Sequence, residues 1–372
     1  MKAVRLAAIL VIIGIVIFVL MEAQSLLMPL VVAIVIWYFV NSIANYVCKL
    51  QFMPRWVALV VSSFIIILAV SIGIELIELS IESMIDKAPN YQKRFGKLLK
   101  AFLDLTGMEK LPSIADFLHE FDIQPLLQKF GAQISNVAGQ ILFVVIYTIF
   151  LLLEQSTFPK KLLALSKDEK QHRRLQKTFK RINESIHTYI TIKTGICLAQ
   201  ATLAYIVMLI VGLDFAIFWA FLIFLLNFIP TFGSMIGTIL PTAFGLLQFE
   251  GYTIVAIMGV TIYVVQFLMA NFVEPKLMGN SLNISTMVVL LSLSVWGFIW
   301  EVPGMILSVP IMVIVIIVCA EFPQTRPIAI LLSANGEIPR PISEEVESEV
   351  FEKIPEEQQR RFPGSQMTTE QP

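Results

Sequence analysis

Three amides and one carboxylate stand out because of their surroundings. Asn227, Gln266, Asn271 and Glu274 fall within Thr194–Ala320, a run of 127 residues whose one basic side chain is Lys276. An amide donates and accepts hydrogen bonds without fixing a charge. In an apolar setting it must bond a neighbouring helix or face a polar cavity. Three of them together suit a small polar cargo, neutral or weakly acidic. Glu274 adds what amides lack, a proton to exchange. A charged side chain at the bilayer centre costs about 2.5–3.5 kcal/mol on insertion scales, so one kept there reads as a proton-coupling or gating group. Placed at the membrane boundary beside Lys276, the same carboxylate needs no burial and carries no such meaning.

Proline and glycine interrupt the same run at Pro230, Gly233, Gly237 and Pro241, and again at Pro303, Gly304 and Pro310. Interrupted helical backbone survives at membrane depth only where protein or a water-filled cavity surrounds it, and broken helices are where transporters bind cargo. The candidate substrate-binding and gating set is therefore Asn227, Pro230, Gly233, Gly237, Pro241, Gln266, Asn271, Pro303, Gly304 and Pro310, with Glu274 as candidate for ion coupling. The other reading is of ordinary kinked spans whose glycines serve close helix packing.

Composition sets the class of fold that must position these residues. The 372-residue chain is 57% hydrophobic and 15% charged, against about 25% charged in an average soluble domain. An all-α polytopic membrane protein follows. The net charge of −1 identifies no partner, and nothing indicates nucleic acid. Cys48, Cys197, Cys319, His119, His172 and His187 are scattered, without metal-ligand spacing or a disulfide framework. No nucleophile–base pair or phosphate loop is legible, so neither enzymatic activity nor a cofactor is expected. Lys2 and Arg5 precede an apolar run, Leu6–Met21, with no small-x-small cleavage site before the next run starts at Leu26. This reads as an uncleaved first span.

The chain divides into N-terminal membrane helices (1–80) for scaffolding and oligomerisation, an extracytoplasmic amphipathic helical region (81–133) and a membrane helix (134–153). A basic cytoplasmic amphipathic helix (154–193), a core with two broken hairpins (194–320) and an acidic, Pro-rich, largely disordered tail (321–372) complete it. Segment 154–193 has ten basic and four acidic residues, net +6; segment 75–135 has seven and nine, net −2. By the positive-inside rule, both termini and 154–193 are cytoplasmic. Tyr91, Phe95, Leu98 and Phe102 share one helical face, as do Ile123, Leu126, Leu127 and Phe130 further on. These faces lie on the outer membrane surface or pack together. Leu175, Phe179, Ile182, Ile186 and Tyr189 form another stripe among basic residues. Anionic lipid is its simplest neighbour, and subunit contact the alternative.

Within 194–320 the order is helix (Thr194–Val211), short pair (Phe215–Ile229 and Phe232–Leu247), helix (Tyr252–Phe272), short pair (Met287–Ile299 and Pro303–Ala320). The connector Pro230–Thr231 is tight enough for a helical hairpin. Opposite crossing directions make this an inverted repeat, which fits alternating access around a solvated pocket where the two turns meet.

Asn227-Phe228-Ile229-Pro230 with Gly233, Gly237 and Pro241, Glu274-Pro275 with Gly279, and Pro303-Gly304 with Leu307-Ser308-Val309-Pro310 resemble the motifs of the autoinducer-2 exporter family of bacterial membrane transporters. The resemblance covers residues 5–335. Glu301 departs from it, since the family more often has a small residue there. It implies a cytoplasmic-membrane homo-oligomer, a pentamer, exporting small molecules such as the quorum-sensing signal autoinducer-2. An elevator in which 194–320 carries cargo and 1–153 anchors the oligomer is consistent with the inverted repeat. Sodium–proton antiport, linked to other members, is the second expectation. A non-transport scaffold or receptor using segment 75–135 is the third.

Overall fold

The computed structural model describes residues 2–51, 54–106, 141–164, 169–278 and 283–338. Expectations for 107–133 and for the tail beyond 338 lie outside the described residues. Among the described residues the elements are helices, with one isolated bridge, Ile284 to Ser333. They are α1 (Lys2–Glu22), α2 (Gln24–Gln51), α3 (Arg55–Thr106), α4 (Ile141–Glu154), α5 (Phe158–Ala164) and α6 (Glu169–Val211). Then come α7 (Ala216–Leu226), α8 (Phe232–Gln248), α9 (Tyr252–Leu268), a π-helical stretch (Met269–Val273), α10 (Glu274–Met278), α11 (Thr286–Glu321) and α12 (Arg326–Leu332). Five described stretches are long and apolar enough to cross a membrane: Gln24–Lys49, Arg55–Leu98, Gln171–Val211, Tyr252–Met278 and Thr286–Glu321. The chain is a polytopic helical membrane protein.

Both expected short pairs fold as helical hairpins. In the first, α7 stops at Asn227 and α8 begins after Thr231, which adopts φ 66°. Gly237 faces Ile223 across the pair. In the second, Trp300 and Glu301 break α11 by leaving helical geometry, Glu301 with φ 53°. The chain folds back there: the Ser292 hydroxyl donates to the Ser308 carbonyl at 3.2 Å, and Gly297 meets Met305. Thr286–Glu321 is thus two limbs rather than one straight crossing.

Each tip carries the same device. A Cβ on Gly233 would lie 1.9 Å from the Leu226 carbonyl oxygen, and one on Gly304 would lie 1.9 Å from that of Trp296. A strained residue followed two or three positions later by a glycine under the preceding limb lets both hairpins close.

Two segments pack differently from the sequence reading. The C-terminal half of the stripe on α6 is not a lipid-facing surface, whereas Phe179 stays exposed. Ile186, Tyr189 and Ile190 are buried against Tyr38 of α2 and Val309, Val313 and Ile317 of α11. Helix α6 also runs unbroken through the expected boundary at 193/194. On α3, Tyr91 is buried against Phe215 and Phe244 rather than lying on an open surface. By contrast, only 11% of the α3 apolar window is buried, leaving Val60, Phe64 and Ile67 facing outward.

At the base of the first hairpin, the Lys87 ammonium and Tyr91 hydroxyl both donate to the same carboxylate oxygen of Asp214, at 2.9 and 2.7 Å. Gln248 closes the ring, accepting from the Asp214 N–H and donating to the Gly212 carbonyl. Burial pushes the Asp214 carboxyl up, but the Tyr91 and Lys87 contacts outweigh it and hold the group below its ordinary 3.8. A depressed carboxyl stabilises the fold above the unfolded value and loses that contribution as pH falls through the folded one. Wild-type unfolding midpoints in detergent are expected to fall as pH drops below about 4. Asp214→Asn is expected to flatten that acid limb and lower the neutral-pH midpoint. An unchanged limb would mean that other carboxylates set it.

Candidate functional site

A polar cavity of about 780 Å³ lies where the first hairpin's tip meets α6 and the π-helical stretch. Its geometry follows from three local departures from regular structure. The first is the tip itself. Asn227 ends α7 with its N–H on the Ile223 carbonyl, and Pro230 and Thr231 turn the chain toward Ser234. The second lies along α9. Pro275 has no N–H and its ring would clash with the carbonyl four residues earlier, and the backbone just before it widens to π spacing. The Glu274 N–H accordingly reaches the Met269 carbonyl, five residues back. Such π-bulges re-aim side chains and are frequent at functional sites. Here the bulge turns Asn271 and Glu274 toward the cavity. The third is the link after the second hairpin. The Ser285 N–H donates to the Leu332 carbonyl and the Ala334 N–H to the Asn283 carbonyl, laying residues 334–337 along the cavity's edge.

Glu274 has a partner that the sequence reading did not identify. Its carboxylate receives the Lys193 ammonium at 2.6 Å, with the two side chains 23% and 6% exposed. Lys276 is not that partner. Residues two apart on a helix point away from each other, and Lys276 is exposed. The ion pair ties α6 to the end of the π-helical stretch. One turn before Lys193, Tyr189 brings a buried hydroxyl to the cavity wall with no hydrogen-bond partner among the described residues. Gln200, seven residues on, adds a buried amide to the same wall.

The amides sort into two kinds. Asn227 and Gln266 are buried and bond each other across helices, Asn227 Nδ2 donating to Gln266 Oε1 at 3.1 Å. Asn227 Oδ1 and Gln266 Nε2 are left unpartnered among the described residues. Asn227 lines the cavity and Gln266 stands behind it. Asn271 donates to its own helix, to the Phe267 carbonyl at 2.9 Å, and also lines the cavity.

Asn227, Pro230, Asn271 and Glu274 therefore share one void, and the other candidates stand elsewhere. Gly233, Gly237 and Pro241 repeat at four-residue spacing on the buried face of α8, where they let α7 and α9 approach. Pro303 and Gly304 sit at the second tip, at the opposite side of the fold. There the Trp300 indole donates to the Leu20 carbonyl at 3.0 Å, among residues of α1 and α2. Pro310 lies within the second limb of α11, next to Val309, which does reach the cavity. The two turns do not meet around one pocket: the cavity takes the tip of the first hairpin and the base of the second. The reason is length. The limbs of α11 are long enough to carry their tip past the cavity to the end of α1.

Tyr189, Lys193 and Gln200 escaped the sequence reading as site residues because they precede or straddle the point where the basic segment turns apolar. Two signals would have found them. A carboxylate inside an apolar run needs a counter-charge that Lys276 is ill placed to give, and positions 189, 193 and 200 fall on one helical face.

Comparison with known proteins places this arrangement among membrane transporters. The family model described as AI-2E family transporter matches residues 6–324. The AI-2 transport protein TqsA of Escherichia coli (strain K12) is 26% identical over 315 residues, covering 84% of this chain and 90% of the relative. The putative transport protein YhhT of the same strain is 26% identical over 294 residues, covering 78% and 82%. A putative transport protein of Borreliella burgdorferi is 26% identical over 316 residues, covering 84% and 86%.

Proposed function

The chain belongs to the AI-2E family of transporters, and from that premise we propose that it exports a small polar solute through the cavity at the first hairpin's tip. The observation that carries this reading is the cavity itself. It holds about 780 Å³ between broken helices and is lined by unpartnered or exposed polar groups of Tyr189, Asn227 and Asn271 beside a buried ion pair. An unpartnered buried hydroxyl and amide oxygen carry a standing cost that a hydroxyl-bearing solute would relieve, donating to Asn227 Oδ1 and accepting from Tyr189. The relative TqsA is named an AI-2 transport protein, and autoinducer-2, small and rich in hydroxyls, is the first cargo to test.

Alternating access is the proposed mechanism, with 194–320 shifting against the N-terminal helices. The Trp300–Leu20 hydrogen bond and the contacts of the second tip with α1 and α2 would have to break and re-form in each cycle. The inverted repeat finds support in the shared tip geometry at Gly233 and Gly304. The outward apolar face of α3 suits lipid or the neighbours of a homo-oligomer such as a pentamer. We place both termini and the basic start of α6 in the cytoplasm of a bacterial inner membrane, by the loop charges given above.

Sodium–proton antiport is the second reading, and the Lys193–Glu274 pair favours it. A cation entering the site would compete with Lys193 for the one carboxylate. Inside-out vesicles decide between the two. Uptake of autoinducer-2 without a sodium-dependent pH change is the expected result. A sodium-dependent pH change without signal uptake would replace export by antiport, and neither signal would remove both.

A further inference from the structure

A second cavity, about 480 Å³, opens at the same end of the fold, between α2, the start of α3, the end of α4 and α6. It shares no residue with the transport cavity. Its lining is largely apolar, with half-buried Ile34 and Leu151 and the exposed rings of Phe158 and Phe179, which lie 5.2 Å apart. Its polar groups are unusual in being unfinished. Asn183 Oδ1 and His187 Nε2, one turn apart on α6, are buried and lack a hydrogen-bond partner among the described residues. Arg55 stands at the rim, exposed. Glu154 is the acidic residue in the lining, and it is engaged by Lys161. The cavity thus offers one cation, a hydrogen-bond acceptor and an imidazole nitrogen above an apolar floor.

We propose that this cavity holds the headgroup and first acyl carbons of an anionic glycerophospholipid. The phosphodiester would meet Arg55, the headgroup would reach Asn183 Oδ1 and the His187 ring by a small rotation of those side chains, and the first acyl carbons would lie on the apolar lining. Two observations favour a lipid over a soluble anion or a second protein copy. The floor is apolar, as a free anion would not need. The rim lies at the helix ends, Arg55 opening α3 and Glu154 closing α4, where headgroups sit. Charge-assisted hydrogen bonds are the stronger kind, so Arg55 supplies most of the preference for an anionic headgroup.

The test uses the full chain purified in detergent and native mass spectrometry of retained lipid, with phosphatidylglycerol, phosphatidylcholine and inorganic phosphate as probes. Phosphatidylglycerol is expected to be retained and to raise the unfolding midpoint, and phosphatidylcholine to do neither. Arg55→Gln should weaken phosphatidylglycerol retention about tenfold, because Arg55 is exposed and its loss leaves the fold intact. Lys49→Gln, an exposed cation at the same end but outside the cavity, should change nothing. Equal retention of phosphatidylcholine, an unaffected Arg55→Gln, or equal weakening by Lys49→Gln would each overturn the proposal. Displacement of the lipid by inorganic phosphate at matched concentration would overturn it too, in favour of a soluble-anion site. None of these outcomes depends on what the protein transports.

Discussion

Gly233→Ala and Gly304→Ala should each cost the protein most of its folded yield. The new methyl carbon would start 1.9 Å from a backbone carbonyl oxygen in either tip. Backbone cannot swing aside as a side chain does, so the limbs must separate. Forced overpacking costs about 1–3 kcal/mol and at times more, against a typical total stability of about 5–15 kcal/mol. A clash with main chain belongs at or beyond the upper end. Space, not dihedral freedom, sets this demand, because neither glycine has positive φ. Two other glycines calibrate the claim. At Gly245 the nearest atom is the terminal methyl of Met258, at 2.9 Å, which can move. At Gly251 nothing lies within 4 Å. Unfolding midpoints in detergent should therefore rank wild type and Gly251→Ala together, Gly245→Ala slightly below, and Gly233→Ala and Gly304→Ala far below. Wild-type midpoint and flux in Gly233→Ala would remove the tip as a structural requirement.

The same comparison shows where the sequence was informative. Helical hairpins at 215–248 and 286–321 were legible because Pro–Gly pairs interrupt runs too short to cross lipid, and few other folds tolerate that. What Gly237 and Pro241 do was not legible. Small residues at four-residue spacing mean close packing or an opening, and only the neighbours, here Ile223 and Gln266, decide which. The depth of each tip was hidden as well. Pro303 and Gly304 look equivalent to Pro230 and Gly233 in sequence, yet they end up against α1 and α2 because the second pair has longer limbs. The partner of Glu274 was the largest omission. A charge census by segment assigned Lys193 to a basic cytoplasmic amphipathic helix, but α6 carries that residue one turn further, into the protein's interior.

Removing one member of that pair is the other large expected effect. Glu274→Gln leaves the Lys193 ammonium, 6% exposed, without its counter-charge. Breaking a buried pair this way costs about 3–5 kcal/mol, mostly the penalty of the stranded charge. Lys193→Met strands Glu274 instead, but that carboxylate is 23% exposed and borders the cavity, so water softens the loss. The double variant Lys193→Met/Glu274→Gln strands nothing, and its unfolding midpoint should return close to wild type. A double-mutant cycle on stability thus reads a strong, favourable coupling between the two sites. Flux separates structure from mechanism. If the pair only braces α6 against the π-helical stretch, the double variant regains transport along with stability. If cargo or a cation must open the pair during the cycle, the double variant is stable but its flux loses its dependence on the coupling ion, or is lost outright. Glu274→Gln with wild-type stability and wild-type flux would show that the pair neither holds the site together nor drives it.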